Sequence, residues 1–483
     1  MTEKGNSIRS MDIVLIILLI VSIAISGLSY SAIMGIGPIP GPTGLLEVSS
    51  IAIPSVKLGE TSTITAVVAN PSDVAVSREF SCIVNGSIIG SENVTLDARA
   101  STTISFSTTV SDVGTYTVNI GGMSTDLVVE GYTIALMAKD MGADWWLAYI
   151  GGGKWYLESK GHKTVIGNPE YSESKANSIL KTWAANPDVD GAIISGMGVE
   201  AIVGGITSMT DAGKLVIITN CEAGYVPEVP FSIMFDSDWG GRAGAQEIVD
   251  ELTDRYGSAQ GTVIMSICDP ANPDLNERAE GYRTIFDQYP DIEVHEISAP
   301  IDRVAGAKTQ CTTLLTTLPK VDAVCSVEYE GTMGCLAALE DEGMLLPTSD
   351  TDHVVLTCID GGPGPVNDAL SEDEIDLVID QPVMAYNALA GYYAIKILKG
   401  ETVDFTVGQT ITCQDADITY SVPGTGITEP GTTWAPATVI DVTEEYGHVR
   451  LGTSALLLGK EDLADPALWS NIAAIKNVAG WGF

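Results

Sequence analysis

The chain has 483 residues, with 24 Lys and Arg against 63 Asp and Glu, which gives a formal net charge of -39 at pH 7. So acidic a surface repels polyanions, which excludes nucleic acid and anionic lipid headgroups as natural partners. The length predicts two or three domains. A hydrophobic content of 45% excludes a disordered acidic tail as the main description of the chain.

The amino terminus carries an almost uninterrupted apolar run at residues 13–36. Its length of about 24 residues exceeds the roughly 20 that a helix needs to cross a bilayer. Lys4 and Arg9 precede it, so the positive-inside rule predicts a cytoplasmic segment at 1–12 and a single-pass protein of the cell membrane with its bulk outside. Ala24-Ile25-Ser26 is also compatible with signal-peptide cleavage. The anchor is favoured because the apolar run continues past that site.

Residues 37–45 are rich in Pro and Gly and predict a short stalk. Residues 46–130 change character: Ser, Thr and Val dominate, and apolar residues alternate with polar ones in several runs, such as Ser62–Val68. That pattern, with turn signals between the runs, predicts a small β-sandwich.

The order Gly59-Glu-Thr-Ser-Thr-Ile-Thr, Val68-Ala-Asn-Pro-Ser-Asp and Gly114-Thr-Tyr-Thr-Val resembles the CARDB-like immunoglobulin-type modules of archaeal and bacterial surface proteins. The resemblance implies that this segment is a spacer. Asn85-Gly-Ser and Asn93-Val-Thr match the acceptor pattern for N-glycosylation, so Asn85 and Asn93 are candidate modification sites.

After residue 131, short apolar runs rich in β-forming residues alternate with helical stretches. These runs are Thr133–Met137, Lys163–Ile166, Gly191–Ser195, Leu215–Thr219, Ser232–Phe235, Thr262–Ile267, Ile292–Ile297, Ala323–Val327, Val354–Ile359 and Ile375–Ile379. Strand, helix and strand at this spacing predict parallel sheets covered on both faces. So many strands exceed one typical sheet, so the predicted fold is α/β with two doubly wound lobes and a cleft between them.

Ligands of open parallel sheets bind beyond the carboxyl ends of the strands, so the residues that follow each apolar run are the candidate site. The candidates are Asp144, Trp145, Trp146, Asn220, Asn276, Glu328, Asp360 and Gln381. Carboxylates and amides bind hydroxyl groups, and aromatic faces pack on the C–H face of a ring. The set therefore predicts a neutral polyhydroxylated ligand such as a sugar, with a cationic amine held by acidic and indole groups as the alternative.

Four stretches resemble a type I periplasmic binding protein of the ribose-binding group of ABC importers. They are Ile134-Ala-Leu-Met with Trp145-Trp146, Phe235-Asp-Ser-Asp-Trp-Gly-Gly-Arg-Ala-Gly, Asn276-Glu-Arg-Ala-Glu-Gly-Tyr-Arg, and Cys358-Ile-Asp-Gly-Gly with Ile379-Asp-Gln. The ending from Glu461 to Asn471 is similar to the closing segment of many sugar-type members.

The resemblance implies a two-lobed Venus-flytrap domain over 132–483 whose chain crosses between lobes three times. Lobe one is expected at 132–237 with 382–425, and lobe two at 238–381 with part of 426–483.

By the same resemblance, Trp145 and Trp146 would stack on the ligand, and Asp360 and Gln381 would bind its hydroxyl groups. Asn276 stands where the group often places an Arg, and Asn220 where it often places an Asp, so the ligand departs from the ribose type. The implied partners are a membrane permease and its ATPase.

Nothing in the sequence indicates catalysis. The histidines (His162, His295, His353 and His448) are dispersed, and none lies in a nucleophile motif. The cysteines lack any CxxC pair, which argues against structural zinc, and no cofactor is predicted. We therefore expect a binding protein and no enzyme. A sensory or adhesive surface protein and a nucleoside binder remain the alternatives to a transport receptor.

Overall fold

The computed structural model describes residues 45–197, 200–412, 415–416, 418, 420–421, 428–429 and 435–472. The predicted anchor at 13–36 and all of the stalk but its last residue lie outside these ranges. Among the helices of the described residues, none is long and apolar enough to cross a membrane. The chain forms two compact units, with the boundary between Val129 and Glu130.

The first unit is all-β. Its strands are β1 (Glu47–Ala52), β2 (Val56–Lys57), β3 (Thr61–Ala69), β4 (Val76–Val84), β5 (Ser87–Leu96), β6 (Ser101–Thr109), β7 (Gly114–Ile120) and β8 (Met123–Glu130). They form two antiparallel sheets in the orders β1-β3-β6 and β2-β8-β7-β4-β5. Alternate residues of β3 are buried, as a strand with one face on a core requires. Asn85 and Asn93 are both exposed.

The second unit alternates strands and helices. In chain order they are β9 (Thr133–Met137), α1 (Asp144–Ser159), β10 (Lys163–Gly167), α2 (Glu173–Ala185), β11 (Gly191–Ser195), α3 (Val203–Asp211), β12 (Leu215–Thr219), β13 (Phe231–Phe235), α4 (Ser237–Tyr256), β14 (Gly261–Cys268), α5 (Pro273–Phe286), β15 (Ile292–Ser298), α6 (Arg303–Thr317), β16 (Ala323–Ser326), α7 (Tyr329–Asp341), β17 (Val355–Ile359), α8 (Pro365–Ser371), β18 (Leu377–Asp380), α9 (Val383–Leu398), β19 (Thr410–Ile411), β20 (Tyr420–Ser421), β21 (Thr428–Glu429), β22 (Ala437–Asp441), α10 (Thr443–Tyr446), β23 (Val449–Thr453), β24 (Leu456–Leu458), and the 3-10 helices η1 (Lys460–Ala464) and η2 (Trp469–Asn471).

Two sheets organise this unit into two lobes. Lobe one has the strand order β10-β9-β11-β12-β13-β23-β22-β19, and lobe two has β15-β14-β16-β17-β18-β24. Each of the ten strands predicted from the sequence is present and pairs in parallel with at least one other of the ten. The predicted α/β class with parallel sheets is therefore confirmed. Every residue of β11, β13 and β17 is buried, because helices cover both faces of each sheet.

The chain crosses between the lobes after β13, after β18 and after β23. The first and third crossings lie side by side, because the Asp236 N–H donates to the Thr453 carbonyl at 2.8 Å. The Asp236 carboxylate also caps α4 by accepting from the Trp239 N–H at 3.0 Å. After the second crossing the chain returns to lobe one, where it forms α9, β22 and β23. After the third crossing, β24 and the tail belong to lobe two. These late strands were not predicted from the sequence.

Helix α1 packs closely on α9 through a run of glycines. A Cβ atom on Gly153 would lie 2.6 Å from Cβ of Asn387, and a Cβ on Gly152 would collide with the Met384 carbonyl. The run Gly151-Gly-Gly therefore allows the two helices of lobe one to approach closely. The seven cysteines that lie within the described residues are all free thiols, and Cys413 lies outside those residues.

Candidate ligand-binding cleft

A cavity of about 490 Å³ lies between the two lobes, at the carboxyl ends of their parallel strands. Its lining comes from both lobes: Lys139, Ala143, Asp144, Trp145, Trp146, Asn220, Asn272, Asp274, Leu275, Arg278, Arg303, Glu328, Tyr329, Glu330, Asp360, Gly361, Gly362, Pro363, Gln381 and Trp469. Of the eight residues predicted from the sequence, all but Asn276 are among them. Parallel strands end at one edge of each sheet, which is why side chains so far apart in sequence converge here.

The lobe-one wall is aromatic and begins at the first turn of α1. Trp145 is partly exposed and stacks on Tyr149, with ring centroids 6.0 Å apart and planes 13° apart. Trp146 is only 9% exposed and lies edge-on to Trp145, and its Nε1–H donates to the Tyr171 hydroxyl at 2.9 Å. Both rings are therefore held by neighbouring side chains, and Trp145 presents the more open face to the cavity.

Two polar side chains of lobe one complete that wall. Asn220 follows β12 and has a φ of +66°, a conformation that Asn tolerates better than most residues. Asp144 lies in the first turn of α1, where its negative charge is favourable. Among the described residues, neither the Asn220 amide group nor the Asp144 carboxylate has a hydrogen-bond partner. Both groups are therefore available to a ligand.

The lobe-two wall is a chain of paired polar groups centred on Asp360. This residue follows β17 with a φ of +72°. Its carboxylate accepts from Nη1 of Arg278 at 2.9 Å and from Nε2 of Gln381. Gln381 in turn accepts from the Tyr386 hydroxyl at 2.6 Å. The Arg278 guanidinium also donates to the Val327 carbonyl at 2.8 Å, so the network is fixed before any ligand arrives.

Arg278 replaces the predicted Asn276 in this wall. Asn276 is partly buried on α5 but does not line the cavity, whereas Arg278 lines it and is 6% exposed. Two residues correspond to a rotation of about 200° around a helix, so a register error of two moves a side chain to the other face. The signal was present in the sequence: Arg278-Ala-Glu-Gly-Tyr282 has the Arg-x-x-Gly-aromatic spacing. The expected loss of an Arg at this place is therefore wrong.

Glu328 lies at the amino terminus of α7 beside a second arginine. It accepts from the Gly331 N–H at 3.3 Å and pairs with Nη1 of Arg303 at 3.1 Å. The same guanidinium nitrogen lies 3.1 Å from the Glu330 carboxylate. Burial raises the pKa of Glu328 to about 7, a hydrogen bond with the Cys268 thiol opposes this rise, and the charge of Glu330 adds to it.

On the lobe-two side Trp469 lines the cavity, and the buried Asp380 holds it in place. The Trp469 Nε1–H donates to Oδ2 of Asp380 at 2.9 Å, and the Gly361 N–H donates to Oδ1 at 3.2 Å. Burial raises the pKa of Asp380 to about 7, and the nearby charge of Asp360 adds to this rise. Trp469 was part of the tail that suggested the family resemblance, but it was not among the predicted site residues. Arg303 and Lys139 were missed as well, although Lys139 lies only two residues after β9 and the rule of strand carboxyl ends covers it.

The arrangement can bind a small polar molecule with a flat apolar face. Aromatic rings come from both lobes, and acceptors and donors alternate around them. Among the described residues, no group of three or more His, Cys, Asp or Glu side chains is placed to hold a metal ion.

Comparison with known proteins matches this unit to one family. The model described as a periplasmic binding protein domain matches residues 134–402, which is more than half of the chain. Three similar solved structures show the same fold at low identity. A carbohydrate transporter solute binding protein from Agrobacterium radiobacter, in complex with D-arabinose, has a TM-score of 0.51 and 16% identity and covers 69% of this chain and 96% of its own.

The other two solved structures are similar to the same degree. An ABC transporter solute binding protein from Agrobacterium vitis, bound with alpha-D-tagatopyranose, has a TM-score of 0.51 and 18% identity, over 70% of this chain and 97% of its own. An arabinose binding protein from Geobacillus stearothermophilus has a TM-score of 0.52 and 16% identity, over 69% and 98%. At these identities the likeness establishes the fold.

Proposed function

The chain belongs to the periplasmic binding protein domain family, and from that premise we propose that it is an extracytoplasmic solute-binding protein of an ABC importer that binds a sugar between two closing lobes. The observation that carries the proposal is that one cavity is lined both by Trp145 of lobe one and by the Asp360 network of lobe two. A ligand held there loses contact with water on both faces, so its hydroxyl groups need the partners that line the cavity.

The chemistry of the lining favours a neutral ring. The side chains of Asp144 and Asn220 have no hydrogen-bond partner within the described part of the chain, and Asp360 and Gln381 offer their remaining lone pairs and N–H groups. The indole of Trp145 supplies a flat face for C–H groups. D-arabinose and alpha-D-tagatopyranose are bound by two of the structurally similar proteins, and both are small rings rich in hydroxyl groups.

The alternative of a cationic amine is less favoured. Five carboxylates (Asp144, Asp274, Glu328, Glu330 and Asp360) and three cationic side chains (Lys139, Arg278 and Arg303) line the cavity, and three of the carboxylates are already paired with the two arginines, so little unpaired negative charge is left for a cation. A carboxylate ligand is disfavoured as well. The charge of Arg278 is already balanced by Asp360, and that of Arg303 by Glu328 and Glu330, so a carboxylate ligand would have to compete with these resident carboxylates for the arginines.

The mechanism that we infer is conformational and leaves the ligand chemically unchanged. The chain crosses between the lobes three times, and the first and third crossings lie side by side, which suits a hinge. A ligand that contacts both walls binds the closed form better than the open one and shifts the population toward closure. The closed form would then dock on a membrane permease that is driven by an ATPase. In a family of binding proteins, this role needs neither an enzyme activity nor a cofactor.

The rest of the chain supports a role at the cell surface. We propose that residues 13–36 anchor the protein in the membrane as a single span, with 37–45 as a stalk and with the all-β unit as a CARDB-like spacer. A cleaved signal peptide is the alternative for the apolar run. In this arrangement Asn85 and Asn93, both exposed, would face the medium in which glycosylation occurs.

Calorimetric titration tests the proposal. The full chain is titrated with pentoses, hexoses, nucleosides and cationic amines, and we expect a sugar to bind with a dissociation constant in the micromolar range or below. The double variant Trp145→Ala/Asp360→Ala should lose this binding. Binding of an amine or a nucleoside alone would overturn the sugar assignment. A sensory or adhesive role would be favoured if sugar binding occurred but no permease interacted with the closed form in a vesicle transport assay.

A further inference from the structure

The cleft contains an aromatic side chain that reaches it from the far end of the chain. After the third crossing, β24 pairs antiparallel with β18, so that the tail joins lobe two. The tail then continues through η1 to η2, whose first residue is Trp469. Trp469 is 4% exposed and lines the cavity.

Polar contacts hold Trp469 in place. A side chain that only filled a hydrophobic core would not need them. Its Nε1–H donates to Oδ2 of the fully buried Asp380, the last residue of β18. The next residue, Ser470, accepts at Oγ from Nδ2 of Asn367 at 3.3 Å, and Oδ1 of Asn367 accepts from the Gly362 N–H at 3.2 Å. The tail is therefore attached to the loop that follows Asp360, and Asp360 belongs to the binding network.

The Gly-Gly pair after Asp360 lies beside this ring and its partner Asp380. Gly362 has a φ of +150°, and a Cβ atom there would lie 3.5 Å from Cη2 of Trp469 and 3.5 Å from Cε2 of Tyr329. A Cβ on Gly361 would lie 3.1 Å from Cγ of Asp380. A side chain at residue 362 would thus stand between two aromatic rings that both line the cavity.

The tail also meets the aromatic wall of lobe one. Cα atoms of η2 and of α1 approach within 8 Å of each other, and α1 carries Trp145 near its amino terminus. Residue 469 therefore lies where the two lobes come together, and a ligand in the cavity has an indole from each lobe among its neighbours.

We propose that Trp469 is a ligand-contacting residue of the cleft, a second indole wall supplied by the tail, and that Asp380 is the positioning residue that orients it. This inference rests on the proposed function, because a stacking wall requires a ligand with a ring. The wall discriminates by shape: it favours a ligand with one flat face of C–H groups toward lobe two.

The test measures binding of D-arabinose, D-ribose, D-glucose, D-galactose and D-tagatose by calorimetry to the full chain and to two variants, Trp469→Leu and Trp469→Phe. Both variants remove the indole N–H and leave Asp380 without that donor, so a role that rests on this hydrogen bond alone predicts equal losses in the two. A stacking role predicts that Trp469→Leu weakens the tightest sugar at least tenfold, whereas Trp469→Phe retains affinity within about threefold of the wild type.

Two further variants complete the design. Asp380→Asn should weaken the sugar by less than Trp469→Leu does, because the ring is present but less well oriented. Asn471→Ala is the matched control, since Nδ2 of Asn471 holds the same tail through the Leu463 and Asp465 carbonyls at 2.7 and 2.9 Å but does not line the cavity. The sugar affinity of Asn471→Ala should stay within twofold of that of the wild type.

The outcomes separate this inference from the function on which it rests. If the wild type binds none of the sugars, the proposed function fails. If the wild type binds a sugar and Trp469→Leu binds it equally well, or if the Leu and Phe variants lose affinity to the same extent, only the indole wall is overturned. If Trp469→Leu does not fold, as judged by circular dichroism, the Trp469→Phe and Asp380→Asn variants provide the test. A tenfold loss of sugar affinity in Trp469→Phe would then overturn the proposal that Trp469 stacks on the ligand.

Discussion

The two walls of the cleft are built differently. Lobe one offers the open face of Trp145 and two polar side chains, Asp144 and Asn220, that have no hydrogen-bond partner among the described residues. Lobe two offers side chains that already bind each other, with Asp360 between Arg278 and Gln381. Lobe two is therefore preorganised, and its groups keep one orientation in the absence of ligand. Lobe one leaves its groups unsatisfied until a ligand arrives, which favours closure onto a ligand over closure onto an empty cavity.

Removing the central charge of lobe two should have the largest effect. Asp360→Asn leaves the Arg278 guanidinium, which is 6% exposed, without its counter-charge. Breaking such a buried pair costs about 3 kcal/mol of unfolding free energy, and we expect sugar affinity to fall at least roughly a hundredfold. All tryptophans lie after residue 130, so denaturant unfolding followed by tryptophan fluorescence reports on the second unit alone.

The matched control for that prediction lies in lobe one. Asp144→Asn makes the same chemical change at a partly exposed carboxylate that forms no ion pair with any described residue. It should lower affinity while changing the free energy of unfolding by less than about 0.5 kcal/mol. Equal destabilisation by the two variants would contradict the contrast between the walls.

The buried acids of lobe two also predict a pH dependence of stability. Burial raises the pKa of both Asp380 and Glu328 to about 7, from ordinary values near 4. Between about pH 4 and 7 the unfolded chain has released these protons and the folded chain retains them, so the free energy of unfolding falls as the pH rises and levels off above 7. Asp380→Asn should make the slope in that window shallower, by at most about 1.4 kcal/mol per pH unit. Urea titrations at pH 5, 6 and 7 measure it, and an unchanged slope would show that Asp380 is ionised throughout.

Truncation of Trp145 tests whether the aromatic wall of lobe one contributes to ligand binding. Trp145→Ala removes the face that we expect to stack on the ligand, and its sugar affinity should fall about tenfold, or about 1.4 kcal/mol. The unfolding midpoint should move little, because Trp145 is partly exposed. Trp146→Phe serves as control: it keeps the buried ring, loses only the bond to the Tyr171 hydroxyl, and should change affinity less than threefold.

The smallest expected effect concerns an ion pair between the lobes. Nη1 of Arg450, in lobe one, lies 3.5 Å from the Glu277 carboxylate of lobe two, which is 43% exposed. Glu277→Gln should weaken binding less than threefold, since exposed pairs contribute less than about 1 kcal/mol. Calorimetry in low and high salt checks this, because the difference from the wild type should shrink as salt screens the pair. A tenfold loss would mean that closure depends on this pair far more than its exposure implies.

Periodicity and turn chemistry in the sequence were enough to predict the ten parallel strands. Buried strands of a covered sheet are continuous apolar runs, and Gly191–Ser195 and Leu215–Thr219 match the observed strands residue for residue. The rule that ligands bind at strand carboxyl ends then brought Trp145, Asn220 and Asp360 into the cavity. The prediction for Asn276 failed because strand-end loops have no period, so nothing local fixes which side chain of the following helix points inward.

The late strands show a different limit. Strand β23 pairs with β13, more than two hundred residues away, and no local pattern encodes such a partner. Nor could the sequence reveal that Trp469 would reach the cleft, because its place depends on β24 joining β18.

The sequence by itself therefore determined the elements, their class and the edge at which a ligand binds, since these follow from local apolar period and from the geometry of parallel sheets. Only the tertiary structure decided which charges are paired, how the tail enters lobe two and which rings share the cavity. Those outcomes depend on contacts between distant segments, whose distances and burial arise only when the whole unit has folded.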